Sequence, residues 1–287
     1  MILTENFELA NGVLIPKIGL GTWFIADKDA ATAVYKAAEI GYRHFDSAQA
    51  YGNERGVGEG VRSCGVDRSQ IFVTTKLAAE IKSHPEAAAS IDNSLSTLGL
   101  DYIDLMLIHS PRPWMQFHET EAWFEGNLAA WRAMEDALQA GKLRAIGVSN
   151  FERPDLDNIL THSSVPPMVN QVLAHISNTP FALIEYCKQH QILVQAYSPL
   201  AHGELFKNAT LQAMAQKYNV SLPQLSIRYC LELGLLPLPK TARPEHMRNN
   251  AAVDFTISAA DLAVLKNMEQ IKDYGEASMF PVYGGKL

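Results

Sequence analysis

Polar side chains recur along the sequence at the ends of short apolar runs, and their types suggest chemistry. They are Asp46, Lys76, His109, Ser149, Asn150, Gln171 and Tyr197, and Tyr51 follows the first of them by five residues. A single acid or lysine at the end of a strand is usually solvated or ion-paired. Seven polar residues at successive strand ends instead indicate that the strands deliver them to one shared site.

This set contains the groups needed to protonate a carbonyl oxygen. A tyrosine hydroxyl has an ordinary pKa of about 10 and is a weak acid near neutrality. We expect the Lys76 ammonium to lower the pKa of Tyr51, and Asp46 to hold that ammonium in place. His109 could donate a hydrogen bond to the same oxygen. Because none of these residues needs to act as a nucleophile, the electron pair must come from a cofactor.

The elements that position these side chains alternate between short apolar runs and amphipathic stretches. Strands are predicted at residues 17–20, 43–45, 71–75, 102–108, 144–148, 168–171, 193–196 and 235–238. Helices are predicted at residues 29–39, 54–61, 85–98, 125–140, 154–160, 180–189, 211–218 and 223–233. Eight strands each followed by a helix predict an α/β fold of the (β/α)8 barrel type. A β-hairpin is predicted before the first strand, because Asn11-Gly12 is a strong turn signal between two apolar runs.

A doubly wound open sheet would show a similar alternation of strands and helices. Such a sheet binds dinucleotides at a Gly-x-Gly-x-x-Gly turn after its first strand. Residues 19–23 read GLGTW, and Phe24 follows without a third glycine, so this fingerprint is absent. The 287 residues contain no linker rich in serine, glycine or proline, and one barrel domain is therefore expected over residues 1–287.

Composition narrows the choice of partners and compartment. The net charge of −7 disfavours nucleic acids and anionic membranes as partners. Three widely spaced cysteines without a CxxC motif predict reduced thiols. The first residues lack the pattern of a signal peptide, and no window approaches 18 unbroken apolar residues. We therefore expect a cytoplasmic protein without a membrane or nucleic-acid partner, and a monomer is the default expectation.

Three segments resemble the signatures of the aldo-keto reductase family. Residues 41–48 read GYRHFDSA, with Glu54 and Val57-Gly58 further on, and resemble the first signature. Residues 144–151 read RAIGVSNF and resemble the second, and residues 238–241 read LPKT and resemble the start of the third. The resemblance spans most of the chain. It implies NAD(P)H-dependent reduction of an aldehyde or ketone, a small-molecule carbonyl substrate, to an alcohol.

The resemblance also implies roles for the matching residues. The catalytic tetrad would be Asp46, Tyr51, Lys76 and His109, with Tyr51 as the general acid. The cofactor site would comprise Gly21, Thr22, Trp23, Ser149, Asn150, Gln171, Tyr197, Ser198, Leu200, Lys240, Thr241, His246 and Asn250. Within it, the carboxamide of the nicotinamide would be held by Ser149, Asn150 and Gln171, and the ring would stack on Tyr197. The substrate would contact Trp23, Tyr51, His109 and Trp114.

The sequence departs from the family pattern at two places that affect specificity. His246 stands where the family has arginine, and Asn249 stands where glutamate is common. Lys240 still favours NADPH. NADH is also possible, because the permanently charged arginine that would bind a phosphate is replaced by the titratable His246. Ser110 follows His109 where many members have tryptophan. Trp114, in the next loop, either refills that pocket or packs the loop onto the barrel.

Two alternative functions remain open at this point. A metal-dependent hydrolase or isomerase could use the same barrel, and His44 shares a strand face with Asp46. No metal is expected, because Lys76 would repel a cation. A catalytically silent barrel that binds a dinucleotide as a sensor or subunit is the second alternative. The presence of all four tetrad residues favours an enzyme.

Overall fold

The computed structural model describes residues 1–285. A short 3-10 helix (Ile2–Thr4) precedes the predicted hairpin. β1 (Asn6–Glu8) pairs antiparallel with β2 (Leu14–Pro16). Gly12 has a φ of +82°, which a side chain would disfavour, and its N–H donates to the carbonyl of Leu9 at 2.8 Å. The side-chain amide of Asn11 donates to the carbonyl of Arg144 at 2.9 Å, at the start of a barrel strand. The hairpin thus lies at the amino-terminal end of the barrel. Residues 286 and 287, the end of the domain predicted from the sequence, lie outside the described residues.

Eight parallel strands form the central sheet, and each pairs with the next one along the chain. They are β3 (Leu20–Gly21), β4 (His44–Asp46), β5 (Phe72–Leu77), β6 (Ile103–Ile108), β7 (Leu143–Ser149), β8 (Val169–Leu173), β9 (Leu193–Tyr197) and β10 (Leu236–Leu238). The first and last strands meet through two hydrogen bonds, from Gly19 N–H to Pro237 O at 3.2 Å and from Gly21 N–H to Pro239 O at 3.0 Å. The sheet therefore closes on itself, and the predicted (β/α)8 barrel is confirmed.

Helices surround the barrel and cover its strands. They are α1 (Asp27–Ile40), α2 (Glu54–Ser63), α3 (His84–Leu98), α4 (Phe124–Gln139), α5 (Arg153–His162), α6 (Phe181–Gln189), α7 (Ala209–Lys217), α8 (Leu222–Glu232), α9 (Pro244–Ala251) and α10 (Ala259–Lys266). Every position of β5 and β6 is buried, and β6 (IDLMLI) accordingly reads as an apolar run that only Asp104 interrupts. No helix within residues 1–285 is long and apolar enough to cross a membrane.

The prediction lacks two helices in the last third of the chain. α7 and α8 both follow β9, as the predicted ranges have them, but α9 and α10, neither of which was predicted, follow β10. Within α9 only Met247 and Asn250 are buried, so the sequence shows no apolar periodicity there. The start of α8 does follow sequence rules. Ser221 and Gln224 form a capping box, in which Ser221 N–H donates to the Gln224 side chain at 2.8 Å.

Candidate active site

The four residues of the predicted tetrad meet at the carboxyl ends of β4, β5 and β6. Lys76 Nζ donates to Asp46 Oδ1 at 2.6 Å and to the carbonyl of Ser47 at 2.7 Å. The same ammonium lies 3.3 Å from Tyr51 Oη. The ring of His109 meets the ring of Tyr51 edge to face, with centroids 5.6 Å apart. The structure thus brings an ion pair, a phenol and an imidazole into contact at one point.

The loop that carries Tyr51 is held by its own polar side chains. Ser47 Oγ donates to Asn53 Oδ1 at 2.7 Å, and Asn53 Nδ2 donates to the carbonyls of Thr22 and Ile25, each at 2.9 Å. Tyr51 ends a 3-10 turn that begins at Gln49. These bonds replace the strand pairing that the loop lacks, and they fix the phenol over the end of the barrel.

The carboxylate of Asp46 also connects across the barrel to β8 and β9. Gln171 Nε2 donates to Asp46 Oδ2 and to Gln195 Oε1, each at 2.7 Å. Both amide hydrogens of Gln171 are therefore used, and its Oε1 is left to accept from a ligand. Gln195 Nε2 is buried and has no hydrogen-bond partner among residues 1–285. The network orients Asp46 from two sides.

The protonation of the site follows from burial and from the ion pair. Burial raises the pKa of Tyr51 well above its ordinary value, and the Asp46 charge acts in the same direction. Burial lowers the pKa of Lys76, and Asp46 opposes that shift. Burial and then Lys76 lower the pKa of His109 well below its ordinary value. At neutral pH, Tyr51 therefore keeps its proton and His109 is uncharged.

The expectation that Lys76 lowers the pKa of Tyr51 is thus wrong for this structure. The ammonium is paired with a carboxylate at 2.6 Å, so its field at the phenol is largely cancelled. Removal of the phenol from water is then the larger effect, because it disfavours the phenolate.

A second group of side chains lies beside the tetrad. Tyr197 Oη donates to Asn150 Oδ1 at 2.7 Å, and Asn150 Nδ2 donates to the carbonyl of His109 at 3.0 Å. Ser149 Oγ donates to the carbonyl of Gln171 at 2.8 Å. The result is a set of amide and hydroxyl groups next to an aromatic ring. Such a set suits an aromatic ring that carries a carboxamide.

These groups line a cleft of about 500 Å³ that runs to the end of β10. Of the predicted cofactor residues, those that line it are Gly21, Trp23, Ser149, Asn150, Gln171, Tyr197, Ser198, Leu200 and Lys240. The cleft also contains Asp46, Tyr51 and His109, whereas Lys76 is fully buried behind them. Thr22 is fully buried and donates to the carbonyl of Asp46 at 2.9 Å, so the structure does not bring its side chain to the cleft.

The other residues matched to the third signature lie beyond Lys240. Thr241 Oγ1 accepts from Arg243 N–H at 3.0 Å, ahead of α9. His246 is exposed near the start of α9, and Asn250 is buried near its end. These three predicted cofactor residues do not line the cleft. Lys240 lines the cleft and directly precedes Thr241 in the chain.

Aromatic side chains form the outer part of the cleft. The ring of Trp114 meets the ring of His109 at right angles, with centroids 5.0 Å apart, and Trp114 lines the cleft as the pocket hypothesis requires. Trp23 contacts Tyr283 at 6.4 Å between centroids, and Tyr283 Oη lies 2.6 Å from Ser198 Oγ. Sequence reasoning assigned no role to Tyr283 or to His202, which also lines the cleft. The available signal for Tyr283 was that it is one of the aromatic residues in the irregular segment that follows α10.

The metal alternative finds little support in the part of the chain that the structure describes. No group of three or more His, Cys, Asp or Glu residues could hold a metal ion there. His44 is fully buried, and its Nε2 lies 2.9 Å from Thr74 Oγ1, which gives it a structural partner. The cysteines Cys64, Cys187 and Cys230 are all free thiols.

Comparison with known proteins agrees with the geometry. Residues 17–270 match the model of the aldo/keto reductase family, so the chain belongs to that family. Its members reduce carbonyl compounds with a nicotinamide cofactor, and this chain is an oxidoreductase of that kind.

The chain is similar to several relatives along nearly its whole length. It is 38% identical over 262 residues to a glyoxal reductase of Bacillus subtilis, covering 91% of each chain. It is 34% identical over 278 residues to the methylglyoxal reductase DkgA of Yersinia pestis, covering 96% of each. A solved structure of a Bombyx mori aldo-keto reductase in complex with NADP is 31% identical, with a TM-score of 0.85 and 98% of each chain covered.

Proposed function

We propose that this chain reduces aldehydes and ketones to alcohols with NADPH and that Tyr51 is the proton donor. The observation that carries the proposal is the contact of Tyr51 Oη with Lys76 Nζ at 3.3 Å, at the floor of a cleft that also holds His109. Names given to relatives point to glyoxal and methylglyoxal, which makes small dicarbonyl compounds the first substrates to test.

The cofactor site is proposed on the chemistry of its residues. The Gln171 oxygen, held open by the bonds of its own amide to Asp46 and Gln195, would accept from the carboxamide. Tyr197 would support the ring, and Lys240 would face the phosphates. A bound reduced nicotinamide supplies a hydride to the carbonyl carbon. NADPH is favoured over NADH by Lys240 and by the NADP found in the Bombyx mori relative.

The residues of the chain would then manage the proton and the charge. A carbonyl oxygen in the cleft would lie against Tyr51 Oη and the imidazole of His109. The neutral imidazole would donate a hydrogen bond to that oxygen as negative charge develops on it. Tyr51 would pass its proton to the same oxygen, and the phenolate formed would be stabilised by Lys76. Asp46 would keep the ammonium in position throughout.

The test is turnover by Tyr51→Phe, which removes one oxygen and little volume. We expect activity with methylglyoxal and NADPH to fall by at least about 100-fold, the usual contribution of a general acid. Cofactor affinity should stay near the wild-type value, as measured by quenching of protein fluorescence. An active Tyr51→Phe would refute the acid assignment. A wild type that binds NADPH but reduces no carbonyl would favour the binding-only alternative.

A monomer in the cytoplasm is also proposed, supported by the net charge and the free thiols. Sedimentation equilibrium of the purified protein would measure its mass in solution. A mass near the 31.7 kDa of one chain is expected, and a multiple of it would contradict the monomer.

A further inference from the structure

The backbone just beyond β6 is held by side chains from two other segments. Lys82 Nζ, from the loop after β5, donates to the carbonyl of Ser110 at 2.9 Å. It also donates to Asn127 Oδ1 at 2.7 Å, and Asn127 Nδ2, on α4, donates to the carbonyl of Pro111 at 3.0 Å. Lys82 and Asn127 together are called the clamp below. They fix two successive carbonyls of the chain immediately after His109.

The segment that the clamp holds leads directly to Trp114. Three residues beyond Pro111, the N–H of Trp114 donates to Glu80 Oε1 at 3.3 Å, in the same loop as Lys82. Trp114 then meets His109 edge to face and lines the cleft. The path of the chain from His109 to this indole is therefore set by side chains that do not touch the cleft themselves.

The surroundings of Lys82 suit a hydrogen-bond donor better than an isolated ammonium charge. Burial lowers the pKa of Lys82 to about 7, against the opposing charges of Glu80 and Asp155. A neutral amine still has two N–H groups, which equals the two acceptors that Lys82 contacts. Gly126 lets α4 pack close to Lys82, because a Cβ at position 126 would lie only 2.8 Å from Lys82 Cβ, which is too close for two carbon atoms.

We propose that Lys82 and Asn127 are positioning residues that set carbonyl recognition by holding Trp114 at the mouth of the cleft. The proposal rests on the reductase activity proposed above. His109 has supports of its own, from its N–H to Leu77 O at 3.2 Å and from Asn150 Nδ2 to its carbonyl at 3.0 Å. Loss of the clamp should therefore displace Trp114 and leave His109 in place.

The test compares Lys82→Met with Lys82→Gln in the full-length protein. Methionine keeps the apolar stem and removes both donors, whereas glutamine keeps a head with two N–H groups. We expect Lys82→Met to raise the KM for methylglyoxal about tenfold, with kcat changed less than about threefold. The Kd of NADPH should not change. Lys82→Gln should raise KM less than Lys82→Met, because its head keeps two N–H groups, although its side chain is one bond shorter than that of lysine.

Hydrogen exchange of the peptide covering residues 110–117 gives a second measurement that needs no turnover. Faster exchange of this peptide in Lys82→Met, and not elsewhere, supports the clamp, and the exchange of Lys82→Gln should lie between that of Lys82→Met and that of wild type. Unchanged KM and unchanged exchange in Lys82→Met would overturn the proposal. So would faster exchange spread over the whole chain. A wild type without turnover would refute the reductase proposal instead, and exchange would then decide on the clamp.

Discussion

The buried ion pair between Lys76 and Asp46 makes Asp46→Asn the most informative single substitution for stability. Lys76 is fully buried, Asp46 is 3% exposed, and the two charges lie 2.6 Å apart. Asparagine has nearly the same shape, so the change leaves the packing but removes the charge and one of the two acceptor oxygens that Lys76 and Gln171 use. Removing one partner of a buried pair costs about 3–5 kcal/mol, because the remaining charge is left without compensation. Lys76 keeps its bond to the Ser47 carbonyl, so we expect the lower end, about 3 kcal/mol.

The pH dependence of this loss has a definite sign. Without Asp46, the pKa of Lys76 in the folded state falls further below that of the unfolded chain. Between those two pKa values the unfolded state binds more protons, so the free energy of unfolding rises with pH. The deficit of Asp46→Asn relative to wild type should therefore shrink from pH 7 to pH 10.

Urea unfolding of the cofactor-free protein at both pH values measures these quantities. Asp46→Asn combined with Lys76→Met is the matched control, because it has no buried charge. The double variant should be more stable than Asp46→Asn alone at pH 7, which gives the coupling energy of the pair. The free energy of unfolding of Asp46→Asn could lie within about 1 kcal/mol of the wild-type value, or its deficit could be independent of pH. Either result would mean that Asp46 does not compensate the charge on Lys76 as the structure implies.

Two further predictions concern histidines. His246→Arg should lower the Kd of NADPH more than that of NADH, as measured by fluorescence titration, because arginine is permanently charged; equal or absent changes would mean that position 246 does not face the phosphate. Burial lowers the pKa of His175 to about 4, whereas in the unfolded chain it is about 6.5. His175 therefore contributes to the free energy of unfolding above pH 6.5, and this contribution is lost as the pH falls below that value. From pH 7 to pH 5 the loss should be about 2 kcal/mol, and it should be absent in His175→Gln; identical slopes in urea unfolding for both proteins would contradict the shift.

The sequence was informative about the barrel because the signals are local. Strands such as β6 are buried on both faces and read as apolar runs, and their polar ends mark the site directly. The helix α9 was missed because it buries little apolar surface and its position depends on packing beside α1 and α8. Periodicity contains no information about such a helix.

Within the site, the sequence predicted which residues lie together but not how deeply they are buried. Residue types and motifs indicated Tyr51, Lys76 and Asp46. The burial that governs their pKa values depends on contacts between residues far apart in sequence, such as Gln171 with Asp46. Tyr283 enters the cleft from the far end of the chain for the same reason. The direction expected for the pKa of Tyr51 was wrong because it took account of Lys76 alone. It left out the loss of water around the buried phenol.

The raised pKa of Tyr51 fits an acid that must hold its proton until a carbonyl oxygen arrives. A phenol already ionised in the free protein could not donate, and burial together with Asp46 prevents that ionisation. In the proposed mechanism Lys76 would act at a later point, because its ammonium lies 3.3 Å from the oxygen that would become the phenolate. Charge that develops there is met by a preorganised donor in a site removed from water, where such an interaction is strong. The proposal therefore gives Lys76 the role of stabilising the product of proton transfer rather than that of acidifying the resting phenol.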